Sequence, residues 1–290
     1  MIRLCAFADE ADEMLVRQIE ALKRNGISLI ELRSVNGKNV SELTDEEAIE
    51  VKDMLSENGI SVWSVGSPLG KVNISEAEAH MQKVRRVCEL AKILNAGRIR
   101  MFSFFEAYEK SDAVKKYLTE MCEIAGEYGV SLCHENEKEV YGDTLERVLE
   151  LADAKIEGLR FVFDPANYIQ CGIDVGEALD CLFDKTAYFH IKDVIAETSE
   201  LVPAGVGDGK IDQMIARIKE SGRDAVLTLE PHLKLFAGYG AIDNTVLQTK
   251  YQFATNDESF DAAVTALKGL LVAGGYTEKE NEKGEKVWQV

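Results

Sequence analysis

Short apolar runs alternate with amphipathic helical segments along this chain. Three of the junctions share one pattern, in which a glycine follows the helical segment and a β-branched residue opens the apolar run, as in Gly26-Ile27-Ser28, Gly59-Ile60-Ser61 and Gly129-Val130-Ser131. Glycine at this position ends a helix in the left-handed conformation, and β-branched residues favour the strand that follows. The pattern therefore predicts a repeating unit of helix, glycine and strand.

The same unit extends along most of the chain. Apolar runs with strand character lie near residues 2–8, 28–33, 60–66, 98–104, 130–135, 159–164, 187–192 and 225–230. Seven helical segments separate these eight runs, and an eighth near 257–273 closes the series. Strands that alternate with helices at this spacing indicate a parallel sheet, and eight such units predict an α/β fold, the closed (β/α)8 TIM barrel.

The competing topology is a doubly wound open sheet, which usually has fewer strands and often a glycine-rich first turn. The first turn here, FADEAD at residues 7–12, contains no glycine. Start signals precede several helical segments, namely the capping boxes Thr44 with Glu47 and Ser75 with Glu78, and the pair Ser111-Asp112. The eight strand units and the first turn without glycine favour the barrel.

Two irregular segments interrupt the pattern, at residues 193–209 and 231–256. Both are predicted as long loops at the carboxyl ends of strands, where loops usually build or cover a site. We expect a single barrel domain over residues 1–275, followed by a polar tail over residues 276–290. Trp288 is the only large apolar anchor of that tail.

Charge and cysteine content restrict the partners and the compartment. The formal net charge is −18, from 51 acidic and 33 basic residues, so the surface field repels nucleic acid and anionic membranes. The six cysteines form no CxxC pair and lie within apolar segments, which favours reduced thiols in a cytoplasmic protein. The first residues lack the pattern of a signal peptide, and no run approaches the roughly 20 apolar residues of a membrane span.

Four of the predicted strands end on side chains that bind metals. The segments SLCHENE, RFVFDPAN, YFHIKD and VLTLEPH supply Glu135, Asp164, His190 and Glu230. Because strand residues alternate between two faces, and the bulky residues should face the helices, all four side chains are predicted to point toward the barrel axis. They lie at the carboxyl ends of consecutive strands, the face where barrel active sites are found.

Binding of a divalent cation is the simplest explanation for three carboxylates and one imidazole that converge on one point. Three clustered carboxylates would otherwise repel one another and raise their own pKa values. Oxygen-rich ligation with one imidazole suits Mn²⁺, Mg²⁺ or Co²⁺, and zinc is also compatible.

Each residue also has a structural explanation when it is considered alone. Asp164 before Pro165 suits a turn or a helix cap, and His190 suits a hydrogen-bonded core histidine. Glu135 and Glu230 are harder to explain, because unpaired carboxylates seldom end buried strands. A purely structural role must account for four residues at once, so we favour the metal site.

These motifs resemble the xylose isomerase-like TIM-barrel superfamily of sugar isomerases and epimerases, which also includes inosose dehydratases and endonucleases of the endonuclease IV type. The resemblance extends over residues 2–273 and is carried by HEN (134–136), FDPAN (163–167), HIKD (190–193) and LEPH (229–232). It implies that Glu135, Asp164, His190 and Glu230 hold the metal. It also implies that Glu135 and Glu230 are the catalytic pair that transfers protons.

The sequence departs from the ketose 3-epimerase pattern at two places. Asn167 stands where a histidine commonly follows the metal-binding aspartate, and the first motif continues as Asn136-Glu137. Neither departure removes one of the four metal ligands. Both concern residues that would influence the choice of substrate and the reaction.

Further residues are candidates for binding the substrate. Lys192 and His232 are predicted to face inward beside the ligands, where they could bind sugar hydroxyls or a phosphate or form ordinary hydrogen bonds. Asn167 is a further candidate, and His134 counts to the helix side, where it could orient a loop. Glu31, at the end of the second strand, could contact the far end of a sugar, with a salt bridge to Arg33 or to a neighbouring residue as the alternative.

Two loops at the carboxyl ends of strands are further candidates. The turn SPLGK (67–71) could close over a substrate or be an ordinary turn. The segment GVGDG (205–209) lacks the context and spacing of a dinucleotide fingerprint, so we expect a loop packed over the metal.

The implied mechanism begins when a divalent ion chelates a carbonyl and an adjacent hydroxyl and acidifies the neighbouring C–H. One carboxylate removes the proton and the other returns it, which gives epimerisation or isomerisation, whereas loss of a β-hydroxyl gives dehydration. The expected function is therefore a metal-dependent isomerase or epimerase of a small sugar or sugar phosphate. A lyase of the inosose dehydratase type and a non-catalytic sugar-binding barrel are the alternatives, an endonuclease is disfavoured by the charge, and the oligomeric state stays open.

Overall fold

The computed structural model of the protein describes residues 1–237, 239–242, 247–282 and 284–290. Parts of the predicted 231–256 loop, at residues 238 and 243–246, lie outside the described residues. The described strands are β1 (Ile2–Ala6), β2 (Leu29–Leu32), β3 (Ser34–Val35), β4 (Lys38–Asn39), β5 (Ser61–Gly66), β6 (Arg98–Met101), β7 (Ser131–Glu135), β8 (Leu159–Phe163), β9 (Thr186–Ile191), β10 (Asp193–Ile195), β11 (Glu200–Val202), β12 (Ala225–Leu229), β13 (Thr277–Glu280) and β14 (Lys286–Gln289).

Eight of these strands form the barrel in the order β1, β2, β5, β6, β7, β8, β9 and β12. Neighbouring strands pair in parallel, and β12 pairs with β1 from Ala225 opposite Ile2 to Leu229 opposite Ala6. That last pairing closes the sheet, so the predicted (β/α)8 barrel is confirmed.

Helices cover the outside of the barrel. The described α-helices are α1 (Leu15–Arg24), α2 (Asp45–Glu57), α3 (Ala77–Ile93), α4 (Ser111–Glu127), α5 (Leu145–Asp153), α6 (Pro165–Gln170), α7 (Val175–Leu182), α8 (Ile211–Ser221), α9 (Tyr239–Ile242) and α10 (Asn256–Ala273). In α1, Leu15, Ile19 and Leu22 recur at helical spacing and are buried. Each such side chain contributes roughly 1.5–3 kcal/mol to packing the helix on the sheet. None of the described helices is long and apolar enough to cross a membrane.

The helix start signals had mixed outcomes. The capping box of α2 is confirmed. The Thr44 hydroxyl accepts a hydrogen bond from the Glu47 backbone N–H, and the Glu47 carboxylate accepts one from the Thr44 backbone N–H. The predicted box of Ser75 with Glu78 is wrong. A 3₁₀ turn at Ile74–Glu76 precedes α3 there, and Asn73 caps that turn by accepting from the Ser75 backbone N–H.

The interior of the barrel changes in character along its axis. The barrel strands carry inward-facing residues in an apolar cluster that contains Cys5, Leu29, Cys133, Val162, Tyr188 and Val226. Toward the carboxyl ends of the strands the inward side chains become ionisable. The polar interior therefore lies at the end where the candidate ligands were predicted.

Two segments that were predicted without regular structure contain strands. The strands β10 and β11 form a hairpin inside the 193–209 loop. The 276–290 segment forms the hairpin β13–β14, whose Trp288 pairs with Ile2 and is buried.

Candidate metal centre

The four candidate ligands stand at the carboxyl ends of barrel strands that adjoin one another. Glu135 is the last residue of β7, and His190 is the residue before the last of β9. Asp164 directly follows β8, where its side chain also caps α6, and Glu230 directly follows β12. The helix cap considered for Asp164 is therefore real, and only one of its carboxylate oxygens serves it.

The structure brings these four side chains together. One ligand atom from each lies within 4.8 Å of the others, and all four residues are buried. His190 Nδ1 lies 2.9 Å from Glu135 Oε1, 3.2 Å from Glu230 Oε2 and 4.0 Å from Asp164 Oδ2. The predicted convergence is confirmed.

The donor set fits a divalent cation. Asp164 Oδ2 and Glu230 Oε2 are buried, and no described donor has hydrogen-bond geometry toward either oxygen. The groups nearest them are the Lys192 ammonium, 3.0 Å from Asp164 Oδ2, and the His190 ring, 3.2 Å from Glu230 Oε2. Buried carboxylate oxygens without donors are costly unless a cation completes them. Since both oxygens face the cluster beside His190 Nδ1 and Glu135 Oε1, the group can hold a metal ion.

Three basic side chains that surround the cluster offset its negative charge. Arg33 Nη1 lies 2.8 Å from Glu230 Oε1, and Arg100 Nε lies 3.2 Å from Glu135 Oε2. The ammonium of Lys192 lies 3.0 Å from Asp164 Oδ2 and 3.8 Å from Glu230 Oε2. Each carboxylate of the cluster thus has a cation beside it.

These cations change the pKa values of the carboxyls. Burial opposes ionisation of Glu135, but His190 and Arg100 outweigh it and lower the pKa of Glu135 to about 2. Burial likewise opposes ionisation of Glu230, and Lys192 and His190 hold its pKa well below the usual value. For Asp164 burial prevails over Lys192 and raises the pKa to about 6.

Two asparagines fix the backbone around Asp164. The Asn136 side chain donates to the Asp164 carbonyl and accepts from the Asp164 N–H, both at 2.9 Å. The Asn167 amide donates to the Asn136 carbonyl at 2.9 Å and to Glu135 Oε1 at 3.3 Å. The Asn136 and Asn167 side chains therefore link the ends of β7 and β8.

Three of the four predicted substrate-binding residues lie at the cluster. Asn167, Lys192 and His232 line a space of about 20 Å³ together with Glu135 and Glu230. A space of this size has room for an ion or a water molecule. His232 adopts a left-handed backbone conformation with φ of 46°. The backbone N–H of His232 donates a hydrogen bond to Glu10 Oε2 at 2.8 Å.

Glu31 lies elsewhere than predicted. It is fully buried and lines neither this space nor the larger cavity described below. Its Oε1 accepts from the Tyr188 hydroxyl at 2.7 Å, and its Oε2 lies 3.3 Å from His190 Nε2. Of the salt-bridge partners that the sequence left open, Arg33 binds Asp9 and Glu230 instead. The ionisable neighbour of Glu31 is His190.

A larger cavity of about 310 Å³ adjoins the cluster on the side of β2, β5 and β6. Arg33, Ser34, Ser67 and Asp9 are among its polar lining residues. Lys71, Arg100 and Phe102 line both spaces, so these three side chains form the boundary between them. The volume falls within the range of small-molecule sites.

Sequence reasoning missed Asp9, Arg33 and Arg100. The available signal was a charged residue inside an apolar run with the same strand parity as a residue already assigned to the axis. Arg33 is two residues after Glu31, and Arg100 stands in β6 where the alternation places a side chain inside the barrel. Their partners Glu230 and Glu135 come from distant parts of the chain, so pairing could not be inferred.

Two neighbouring loops have specific anchors. His134 Nε2 lies 2.8 Å from Ser103 Oγ, which also accepts from the Gly142 N–H. This contact matches the loop-orienting role that was considered for His134. In the SPLGK turn, Lys71 pairs with Glu137 at 2.9 Å at the boundary of the cavities.

The GVGDG segment surrounds the carboxylate of Asp193, which is buried. Asp193 accepts hydrogen bonds from the backbone N–H groups of Gly205, Gly207 and Gly209 at 2.8 to 3.0 Å. A Cβ on Gly207 would lie 2.4 Å from the Asp193 carboxylate. The close approach of the backbone to Asp193 therefore explains Gly207 and Gly209, whereas a Cβ on Gly205 would meet Leu270.

A family-wide sequence profile described as xylose isomerase-like TIM barrel matches residues 19–245. No curated protein sequence gave a match.

Several solved structures share the fold. An L-ribulose 3-epimerase is 16% identical, with a TM-score of 0.73 over 94% of this chain and 95% of that chain. The IOLI protein, whose structure holds a zinc atom, is 18% identical, with a TM-score of 0.72 over 92% and 97%. The probable 3-DHS dehydratase AsbF from Bacillus anthracis is 16% identical, with a TM-score of 0.68 over 93% and 98%. At these identities the likeness concerns the fold.

Proposed function

Because the chain belongs to the xylose isomerase-like TIM barrel family, we propose that it is a divalent-metal-dependent isomerase or epimerase of a small sugar or sugar phosphate. The observation that carries the proposal is the buried convergence of Glu135, Asp164, His190 and Glu230. These four residues would hold the ion. When bound, it would supply Lewis-acid stabilisation of the enediolate that forms after proton loss.

The chain itself would supply the proton transfers. One oxygen of Glu135 and one of Glu230 lie within 4.8 Å of each other, at the edge of the space that joins the larger cavity. Both carboxyls have lowered pKa values, so both are ionised at neutral pH and have the free oxygen lone pair that a base needs. In the proposed mechanism one carboxylate removes the proton from the substrate carbon, and the other, once protonated from solvent, returns a proton to the substrate.

The larger cavity would hold the body of the substrate. Its volume of about 310 Å³ suits a sugar, and its lining combines hydrogen-bonding groups with one aromatic ring, Phe102. Lys192, His232 and Asn167 would contact the reacting end, because they line the smaller space against the cluster. In this proposal Lys71 and Arg100 contact the substrate between the two spaces.

A dehydratase is the second candidate. A proton loss of the same kind leads to elimination when the substrate carries a β-hydroxyl, and one of the similar structures is described as a probable 3-DHS dehydratase. The ligand set serves both reactions equally.

The metal itself is proposed to be Mn²⁺, Mg²⁺ or Co²⁺, with zinc supported by the IOLI structure. All six cysteines are free thiols, which supports a reducing compartment, and we propose the cytoplasm.

Elemental analysis of the purified protein, followed by a substrate screen in heavy water, tests the proposal. Ketoses, their phosphates and inososes would be screened for deuterium incorporation and for elimination products. We expect one bound divalent ion per chain and exchange at one carbon. Glu135→Gln and Glu230→Gln should each abolish exchange, whereas full exchange in both variants would refute their role. The control is Glu20→Gln, an exposed surface residue that pairs with Arg17.

A further inference from the structure

A buried chain of polar side chains lies beneath the cluster, inside the barrel. The Ser64 hydroxyl lies 3.2 Å from the Tyr188 hydroxyl, which donates to Glu31 Oε1 at 2.7 Å. Glu31 Oε2 lies 3.3 Å from His190 Nε2. None of the four side chains in this hydrogen-bonded series has exposed surface, so solvent does not reach it. They are Ser64, Tyr188, Glu31 and His190.

The two ring nitrogens of His190 therefore face different partners. Nδ1 faces the carboxylates of Glu135 and Glu230, whereas Nε2 faces Glu31 alone among the described acids. A neutral imidazole carries one proton, and only the nitrogen without it can bind a metal. Carboxylates lie beside both nitrogens, but an ion held by Glu135 and Glu230 would take the place of a proton on Nδ1. The remaining proton would then be on Nε2, where Glu31 can accept it.

The imidazole is also fixed in its plane. The Phe7 ring lies 5.2 Å from it and the Tyr188 ring lies 5.6 Å from it, both edge-on. A ring flip would exchange Nδ1 and Nε2 and would have to displace these aromatic rings.

Burying the Glu31 carboxylate costs free energy unless another group stabilises its charge. Among the described basic side chains, only His190 lies within 4.0 Å of its carboxylate. A buried carboxylate with no lysine or arginine beside it is rare, because desolvation disfavours the charge. A carboxylate that supports a metal-binding histidine from behind gains its compensation from the imidazole and the ion.

We propose that Glu31 is a positioning residue of the metal centre. It holds His190 as the Nε2–H tautomer with Nδ1 directed at the ion, and Tyr188 holds Glu31 in place. This inference rests on the proposed metal-dependent function and replaces the contact with substrate that the sequence suggested for Glu31.

Metal affinity provides the first test. Metal-free wild type, Glu31→Gln and Glu137→Gln would be titrated with Mn²⁺, and free Mn²⁺ would be counted by electron paramagnetic resonance. We expect about 10- to 100-fold weaker binding for Glu31→Gln, the loss typical of a removed outer partner. Glu137→Gln removes one charge near the same space without contacting His190, and should change the affinity less than about threefold.

The tautomer of His190 provides the second test, because it would not change if Glu31 only contributed to packing. The chain has four histidines, so nitrogen NMR of the Zn²⁺-loaded protein can assign each ring. We expect metal-bound Nδ1 and a slowly exchanging Nε2–H on His190 in the wild type, with faster exchange in Glu31→Gln. Tyr188→Phe keeps Glu31 and should give a smaller loss of affinity, and it serves if Glu31→Gln does not fold.

The outcomes separate the two proposals. A wild type that binds no metal would refute the proposed function and this inference with it. A wild type that binds metal, with variants of unchanged affinity or with Nε2 as the bound nitrogen, would refute the role of Glu31 and leave the proposed function standing.

Discussion

At the scale of single residues, the site depends on buried charges that neutralise one another. Arg33 is the clearest case, because its guanidinium binds Asp9 through two hydrogen bonds and Glu230 through a third while it is almost completely buried. Its ring partners are Phe7 at 4.3 Å and Phe236 at 5.0 Å. Removal of one member of such a group leaves uncompensated charge in the interior.

Arg33→Met should therefore destabilise the protein by about 3–5 kcal/mol, because Asp9 and Glu230 lose their shared cation. Urea unfolding followed by circular dichroism measures the change. Arg17→Met is the matched control, since the pair of Arg17 and Glu20 is exposed, and little change is expected there. Equal effects in the two variants would contradict the buried network.

The raised pKa of Asp164 predicts how metal binding depends on pH. Burial raises the pKa to about 6 from its ordinary value of 3.8, so the stability that the protonated carboxyl contributes is present below pH 4 and is lost as the pH rises through 6. A bound ion requires the ionised carboxylate of Asp164, and its binding offsets the stability that is lost when this carboxyl ionises. The rise in melting temperature caused by saturating Mn²⁺ should be larger at pH 7 than at pH 5. Thermal scans with and without Mn²⁺ measure it, and a larger rise at pH 5 would contradict the expectation.

At the scale of elements, the 193–209 segment illustrates a loop ordered by one side chain. Asp193 begins β10 and accepts hydrogen bonds from three glycine N–H groups on the returning chain. The carboxylate thus replaces the partners that a regular sheet would give these N–H groups. The segment follows Lys192 directly, and its Val194 and Leu201 pack with Ala166 of α6 near the candidate ligand Asp164.

Gly207→Ala should disorder this loop, because the added Cβ would lie 2.4 Å from Asp193 Oδ1 and 2.6 Å from the Val194 carbonyl. Faster proteolytic cleavage within residues 193–209 measures the effect. Gly97→Ala is the control, since nothing lies within 4 Å of its Cβ position. Cleavage at the wild-type rate in Gly207→Ala would show that the loop tolerates the shift.

At the scale of the whole molecule, the candidate ligands all come from one half of the barrel. They stand on β7, β8, β9 and β12, whereas β2, β5 and β6 contribute the cavity and the balancing arginines. A bound ion would therefore link β7, β8, β9 and β12 directly, whereas β2 and β6 reach the ligands through the side chains of Arg33 and Arg100.

Hydrogen exchange should record this asymmetry. Stripping the ion with a chelator is expected to accelerate amide exchange in β7, β8, β9 and β12 and to leave β5 and β6 nearly unchanged. Mass spectrometry of loaded and stripped protein measures the difference strand by strand. Uniform acceleration around the barrel would contradict a metal held by these four strands alone.

The sequence by itself determined the barrel and the four converging side chains. Both follow from local rules, since the period of two in a strand sets the face of Glu135, Asp164, His190 and Glu230, and parallel strands bring their carboxyl ends to one face. The positions of these residues at consecutive strand ends were enough to place them together.

Only the tertiary structure decided which charges compensate that cluster and what Glu31 contacts. Arg33 and Glu230 are 197 residues apart, and Glu31 and His190 are 159 residues apart. Such pairs depend on side-chain reach across the barrel axis and on desolvation in its interior. Neither quantity is present in the local pattern, because each arises only when the barrel has closed.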